Sequence, residues 1–435
     1  MLSTEVNLSG VAMSKTFEPH AYATALAKAG TYACEAGVLH EWRTSHWEAL
    51  DDRDARVSAY RWLVKNAPGH ASDANAAQAV RAAALFLPSV PALTELTVIP
   101  VRNGYVHVEG ACVQLKPAEQ ALGVRHVLNC TYDPSARAVE FIQFVERALP
   151  DPDVRARVQE YVGYTFLPDA RFQRAQLWLG EGANGKGLLS SIVRALHHRW
   201  ASVALDELDG FERSAVLGAS LIFADEVPRG RIHEQTLKRM VSGDPIAINR
   251  KYQAVVSVEV TGKWIACGNH LPAVTDHSTG FWRRWDIIPF GATVPESERD
   301  PELGKRIIAH ELAGVLNWAL DGLQRLLARG RFDPLVPAVM RRAMLDAKVE
   351  TNSMLAWAEE CDVNVGGPCK TLKSEVFLHY RAWCSENALQ TLGSIQFWKR
   401  LRDHFKDLRE ERPRVDDVQP RRVNVVIPKG RLPRP

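Results

Sequence analysis

The segment Gln176-Leu-Trp-Leu-Gly-Glu-Gly-Ala-Asn-Gly-Lys-Gly187 constrains this chain more than any other. An apolar, strand-like run leads into Gly-x-x-x-x-Gly-Lys, and an apolar helical pattern follows from Leu188 to about Trp200. Glycines let successive backbone N–H groups turn inward, while the helix N-terminus and Lys186 add positive charge. That layout suits a polyphosphate, so Gly180, Glu181, Gly182, Ala183, Asn184, Gly185, Lys186 and Gly187 are the expected cradle for ATP. A glycine-rich turn with no ligand has the same local pattern, so the neighbouring segments must decide. One position departs from the usual pattern. Gly187 stands where a Ser or Thr hydroxyl would ligate Mg²⁺, and Ser190 and Ser191 lie about a turn further on. The metal would then rest on acidic side chains elsewhere, on phosphate oxygens and on water.

Downstream, Leu221-Ile-Phe-Ala-Asp225-Glu226 is an apolar run ending in two acids. After a phosphate-binding loop, the first acid suits Mg²⁺ and the second suits activation of the attacking water. Lys263-Trp-Ile-Ala-Cys-Gly-Asn269 is a second apolar run, ending in an amide that could orient water or a γ-phosphate. Asn269 also reads as a plain turn former before His270-Leu-Pro272. Phe281-Trp-Arg283-Arg284 precedes a further run, Trp285–Pro289, and a guanidinium there could reach a neighbouring subunit's phosphate or make a structural ion pair.

A length of 435 residues predicts two or three domains. Residues 1–140 read as a mixed α/β region. It has helical patterns at Tyr22–Ala36, Asp51–Lys65 and Ala74–Leu87, and a hairpin around Asn103-Gly104. Residues 141–340 alternate apolar strands (Ala175–Leu179, Leu221–Ala224, Trp264–Cys267, Trp285–Pro289) with helices, closing on a helical stretch over Pro301–Arg329. Residues 346–435 combine three helical patterns, the last basic (Ser394–Phe405), with a strand-like Arg421–Ile427, which suggests a winged helix. The net charge of +3 is too small for a global field, so any nucleic-acid contact must come from local patches. Seven cysteines without a C-x-x-C pair, no signal-peptide pattern and no apolar run of membrane-spanning length predict a cytoplasmic protein that does not contact membrane. Cys361, Cys369 and Cys384 with His379 match no common zinc spacing.

In this order the motifs resemble the superfamily 3 helicases, and more narrowly the phage/plasmid and poxvirus primase–helicase family. The carrying residues are Gly180–Lys186, Phe223-Ala-Asp-Glu226, Leu237–Asp244, Cys267–Pro272 and Gly280–Arg284 running into Ile288-Pro-Phe290. The resemblance implies a P-loop NTPase core of AAA+ type, ATP and Mg²⁺ as cofactors, and assembly as a homo-oligomeric ring, a hexamer. It also implies 3′→5′ movement on single-stranded or forked DNA. Lys186 would bind phosphates, Asp225 would organise Mg²⁺, Glu226 would activate water and Asn269 would sense the γ-phosphate. Arg283 or Arg284 would complete the neighbour's site. Between Asp244 and Thr261 it implies a hairpin into the ring's channel, with Arg250, Lys251 and Tyr252 holding single-stranded phosphates. No D-x-D pair in a strand context precedes the core, so a separate primase or initiator is an expected partner. Two other functions fit the same motifs: an origin-binding initiator or scaffold with weak ATPase activity, and a small-molecule P-loop kinase or transferase. The latter gives the arginine pair no role.

Overall fold

The computed structural model describes residues 17–209, 212–228, 230, 232–248, 256–272, 279–350, 352–387, 389, 391–413 and 419–428. Its centre is a five-stranded parallel sheet made of β1 (Ala175–Leu179), β2 (Trp200–Ser202), β3 (Leu221–Ala224), β4 (Lys263–Gly268) and β5 (Trp285–Pro289). The strands lie in the order β5-β1-β4-β3-β2. Ala175 of β1 faces Trp285 on one side and Trp264 on the other, so β1 is paired along both edges. Alternate residues of each strand enter two apolar cores, as the two-residue period of a pleated strand requires. Trp178, Phe223, Ile265 and Ile288 point to one face, and Leu177, Ile222, Trp264 and Ile287 to the other.

The first face is covered by α1 (Val139–Ala148), α2 (Pro152–Tyr164), α3 (Lys186–Leu196) and α5 (Leu312–Arg329), the second by α4 (Glu234–Ser242) among others. Asp151 caps α2 by accepting from the Asp153 and Val154 amides at 2.9 and 3.3 Å, and Pro152 begins the helix where a missing N–H costs nothing. Glycine lets α2 and α5 touch. A Cβ on Gly163 would lie 2.4 Å from the Ala319 carbonyl oxygen, and one on Gly322 2.5 Å from that of Gln159. Glu311, just ahead of α5, accepts from the Glu140 and Phe141 amides at 3.0 and 2.9 Å and so closes the N-terminus of α1. Arg157 of α2 forks onto the Asp286 carboxylate of β5 at 2.7 and 3.0 Å, both side chains being buried. Arg174 reaches the same carboxylate at 3.4 Å.

Around this core stand smaller units. The N-terminal region holds helices Pro19–Ala29, Asp52–Asn66 and Asp73–Phe86 and two three-stranded antiparallel sheets. The Asn103-Gly104 hairpin forms as expected, Val101 pairing with Gly104, and a third strand, Cys112–Lys116, extends it. The expected helix over Tyr22–Ala36 is shorter. Gly30 adopts a left-handed φ of 69° and ends it, and Tyr32–Glu35 is a strand instead. The stretch over Pro301–Arg329 divides at Glu311 into Leu303–His310 and Leu312–Arg329. Helix Ala338–Glu350 runs through the interval expected between the second and third units, with Met340 in one core and Ala347 in the other. Residues beyond it form helices Ser353–Glu360, Lys373–Glu386 and Ser394–His404 around a separate apolar core that includes Trp357, Tyr380 and Phe397. The strand expected over Arg421–Ile427 is two short strands with different partners, Arg422–Val423 and Val425–Val426. Between them the buried Asn424 accepts from the Arg409 amide at 2.7 Å and donates to the Asp407 carbonyl at 3.0 Å. Among the described residues no group of three or more His, Cys, Asp or Glu could hold a metal, and no helix is long and apolar enough to cross a membrane.

Lys263 opens β4 with its ammonium buried, donating to the carbonyls of Leu167 and Thr261 and lying 5.1 Å over the Tyr164 ring. Burial pushes its pKa down from 10.5 to about 7. Between those values the unfolded chain binds more protons than the native protein, so this residue's contribution to stability grows as pH rises. We expect the stability of the wild type relative to Lys263→Met to climb from pH 7 to 10, with a slope approaching about 1.4 kcal/mol per pH unit. Urea denaturation of both proteins at pH 7 and 9.5 measures it, and a difference independent of pH would refute it.

Candidate functional site

The glycine-rich segment leaves the carboxyl end of β1, where ligand crevices of open parallel sheets form. It is anchored to both neighbouring strands. The Gly180 amide donates to the Gly268 carbonyl at 3.2 Å, and the Phe290 amide donates to the Leu179 carbonyl at 2.6 Å. The loop then turns through left-handed conformations at Gly182 (φ 64°), Ala183 (φ 52°) and Gly185 (φ 88°). Ala183 carries a side chain in a region that favours glycine, and its carbonyl is held by the Val294 amide at 3.0 Å. Asn184 is buried and clasps the turn. Its Nδ2 donates to the Phe290 carbonyl at 3.1 Å, and its Oδ1 accepts from the Lys186 amide at 3.4 Å. Gly180 lies beneath this clasp, where a Cβ would come within 2.2 Å of Asn184 Nδ2 and 2.3 Å of the Phe290 carbonyl oxygen.

Lys186 is the first residue of α3 and only 7% exposed. Its Nζ donates to the Gly180 carbonyl and, at 3.4 Å, to Asn269 Oδ1 at the end of β4. Burial lowers its pKa, with the field of Cys267 working the other way. The loop, its lysine and Asn269 are thus one hydrogen-bonded group. Asp225 and Glu226 follow β3, one strand beyond β4, and both are exposed. Sequence reasoning missed Arg194 of α3. Its guanidinium lies 4.9 Å over the Trp200 ring and 4.8 Å over the Phe223 ring, and its Nη1 is 3.7 Å from Asp225 Oδ2. A cation on a helix otherwise patterned Leu-Leu-x-x-Ile-Val was the available signal.

The other expected residues are placed elsewhere. Arg283 and Arg284 precede β5, at the opposite end of the sheet from the loop. A five-residue strand separates the two ends by roughly 15 Å, so neither arginine joins Lys186 within one chain. Arg284 is engaged locally, donating to Ser242 Oγ at 2.7 Å and to the Gly280 carbonyl, while Arg283 is exposed. Arg250, Lys251 and Tyr252 lie outside the described residues. The strands flanking them, Ile246–Ile248 and Val256–Val258, pair antiparallel with Ile246 opposite Val258.

Gly187 faces open space, nothing lying within 4 Å of a Cβ built there, in contrast to Gly180. We expect Gly187→Ser to melt within a degree or two of the wild type, since serine is a slightly better helix former than glycine. Gly180→Ala should be destabilised by several degrees, the overlap with backbone costing about 1–3 kcal/mol. Thermal melts compare them, and equal melting temperatures would show that the loop is not clasped as described.

Residues 178–284, the segment carrying the loop, both acids and Asn269, match a family described as being of unknown function, DUF5906. Over 325 residues the chain is 20% identical to "Putative helicase 121R" of Invertebrate iridescent virus 3. That match takes in 66% of this chain and 34% of the viral protein, so the chain spans about a third of its relative's length. Two solved structures of the NrS-1 C-terminal region, both apo, are similar at 12% identity. One has a TM-score of 0.53, covering 95% of this chain and all of that one, and the other has 0.52, covering 90% and 88%. The chain therefore shares its α/β fold, helices around a parallel sheet, with the NrS-1 C-terminal region over most of its length.

Proposed function

We propose that this protein is an ATP-driven DNA helicase with a P-loop NTPase core of AAA+ type and a winged-helix unit after it. The observation that carries the reading is the group formed at the carboxyl ends of β1, β4 and β3. There, Lys186 and the Asn184-clasped loop meet Asn269, with Asp225 and Glu226 one strand away. Left-handed glycines, a helix N-terminus and a lysine are the features that bind a polyphosphate. The donor set also suits Mg²⁺, which binds through one or two carboxylates, water and phosphate. Bound Mg²⁺ would supply charge neutralisation on the phosphates. Asp225 would hold it, Glu226 would take up a proton from the attacking water and Asn269 would orient that water. The similarity to a viral protein named as a helicase supports DNA unwinding as the work done.

In this reading Arg283 belongs to the site of the next subunit, because its own chain's loop is at the other end of the sheet. That favours a ring, and a hexamer is the assembly proposed. The strand pair Ile246–Ile248 and Val256–Val258 would carry Arg250, Lys251 and Tyr252 towards single-stranded DNA, where two cations and an aromatic ring suit phosphates and bases. A second reading is an origin-binding initiator with slow turnover. It is favoured by Gly187, which brings no hydroxyl to the metal, and by Arg194, whose guanidinium lies 3.7 Å from Asp225.

Lys186→Ala is expected to lose ATP binding by at least tenfold, since the ammonium is the loop's own charge on the phosphates. Glu226→Gln should bind ATP like the wild type and lose most hydrolysis. Gly187→Ser should lower the Mg²⁺ concentration giving half-maximal turnover, a restored ligand being worth about 1–3 kcal/mol. Nucleotide titrations and ATPase assays across Mg²⁺ concentrations read all three. If Lys186→Ala bound and hydrolysed ATP normally, the site would be misassigned.

A further inference from the structure

The unit beyond residue 350 carries a groove between helix Ser394–His404 and the short strands Glu410–Glu411 and Arg422–Val423. It is lined by Lys373, Arg402, Arg412 and Arg421, with Glu410 among them. Lys373 Nζ lies 2.7 Å from Glu410 Oε2, Arg402 Nη1 4.0 Å from the same oxygen, and Arg421 Nη1 3.7 Å from Glu410 Oε1. Three cations thus face one carboxylate and Arg412 joins them in the lining, so among the described lining residues four positive charges stand against one negative. The guanidinium and ammonium groups that ring this carboxylate are the donors that a phosphate diester would use.

The helix beside the groove has a second property. Ile395, Lys399 and Arg402 lie at i, i+4 and i+7 on its outer side, and Ile395 is 87% exposed at its first turn. An exposed apolar residue there, followed by cations, suits a helix that meets base edges with its N-terminal turn and phosphates with the rest. Single strands are gripped instead by exposed aromatic platforms. Among the described lining residues the aromatic ring is that of Trp398, which is buried and carries the Lys373 ammonium 4.9 Å over its face. The lining therefore favours a double helix.

We propose that this groove is a second nucleic-acid site, one that docks the backbone of duplex DNA, and that Glu410 is its built-in competitor, standing where a phosphate would bind. Glu410 tempers the grip. Duplex must displace it from Lys373, Arg402 and Arg421, so affinity stays moderate and salt-sensitive. The site acts independently of the nucleotide loop, so failure of the ATP reading would leave it untouched.

The test is fluorescence anisotropy with the full chain in the Lys186→Ala background and no nucleotide. A short blunt duplex and a single strand of equal length are titrated at several salt concentrations. Glu410→Gln should bind duplex about three- to tenfold more tightly, because the competing charge is gone. Arg402→Ala combined with Arg421→Ala should bind duplex at least about tenfold more weakly and lower the salt slope by roughly 1–2. Single-strand binding should move much less in both. Both changes fall at exposed positions, and circular dichroism confirms the fold of each variant. Unchanged or weaker duplex binding by Glu410→Gln would overturn the proposal, as would equal shifts for single strand and duplex.

Discussion

The buried amide of Asn184 is the contact on which the site depends. One end holds the Phe290 carbonyl beyond β5, and the other holds the Lys186 amide at the start of α3. It thereby joins the sheet to the helix across the glycine-rich turn. A buried amide left unpaired costs about 1–3 kcal/mol, so both ends hold the turn in one shape. Gly180 has no Cβ because the clasp leaves no room for one, and Lys186 follows the clasp directly, which places its ammonium on Asn269. Sequence order alone would let the loop adopt many shapes. The clasp selects the one in which lysine, amide and backbone N–H groups share a site.

The sheet order extends this constraint. With β1 paired on both sides, its carboxyl end is flanked by those of β4 and β5, and β3 lies one strand beyond β4, so Asn269 and the Asp225–Glu226 pair arrive at the same end of the sheet. The opposite end is stabilised by another kind of contact. Arg157 and Arg174 converge on the buried Asp286 of β5, and Lys263 is buried against carbonyls at the start of β4. Removing one partner of a buried pair commonly costs about 3–5 kcal/mol, so that end is rigid for structural reasons. The glycine-rich loop and its polar partners thus lie at one end of the sheet and the buried charges at the other, where Arg283 is exposed.

Much of this was legible in the sequence because apolar runs and their terminal polar residues are local signals. Four of the five strands of the sheet could be read, since Ala175–Leu179 and its counterparts are near-continuous apolar runs buried on both faces. Strand Trp200–Ser202 could not. It is a three-residue edge strand with a half-exposed tryptophan, and no run marks it. The break at Asn424 was hidden for a related reason, because a buried asparagine bridging two loops looks like an ordinary strand residue in the pattern. Within the candidate site, Lys186 was marked by the glycine-rich motif, and Asn269 and the acids by their place after apolar runs. The Asn184 bridge and the Arg194 clamp on Trp200 and Phe223 were not, because both depend on residues distant in sequence.

Coupling of ATP turnover to single-stranded DNA is what separates a helicase from its alternatives. The purified chain is assayed for phosphate release from ATP with Mg²⁺, with and without single-stranded DNA long enough to thread a ring. Basal hydrolysis is expected to be measurable, to rise several-fold with DNA and to disappear in Glu226→Gln. Hydrolysis indifferent to DNA would contradict the helicase reading and favour the initiator. The absence of any Mg²⁺-dependent hydrolysis or ATP binding would contradict the nucleotide site itself.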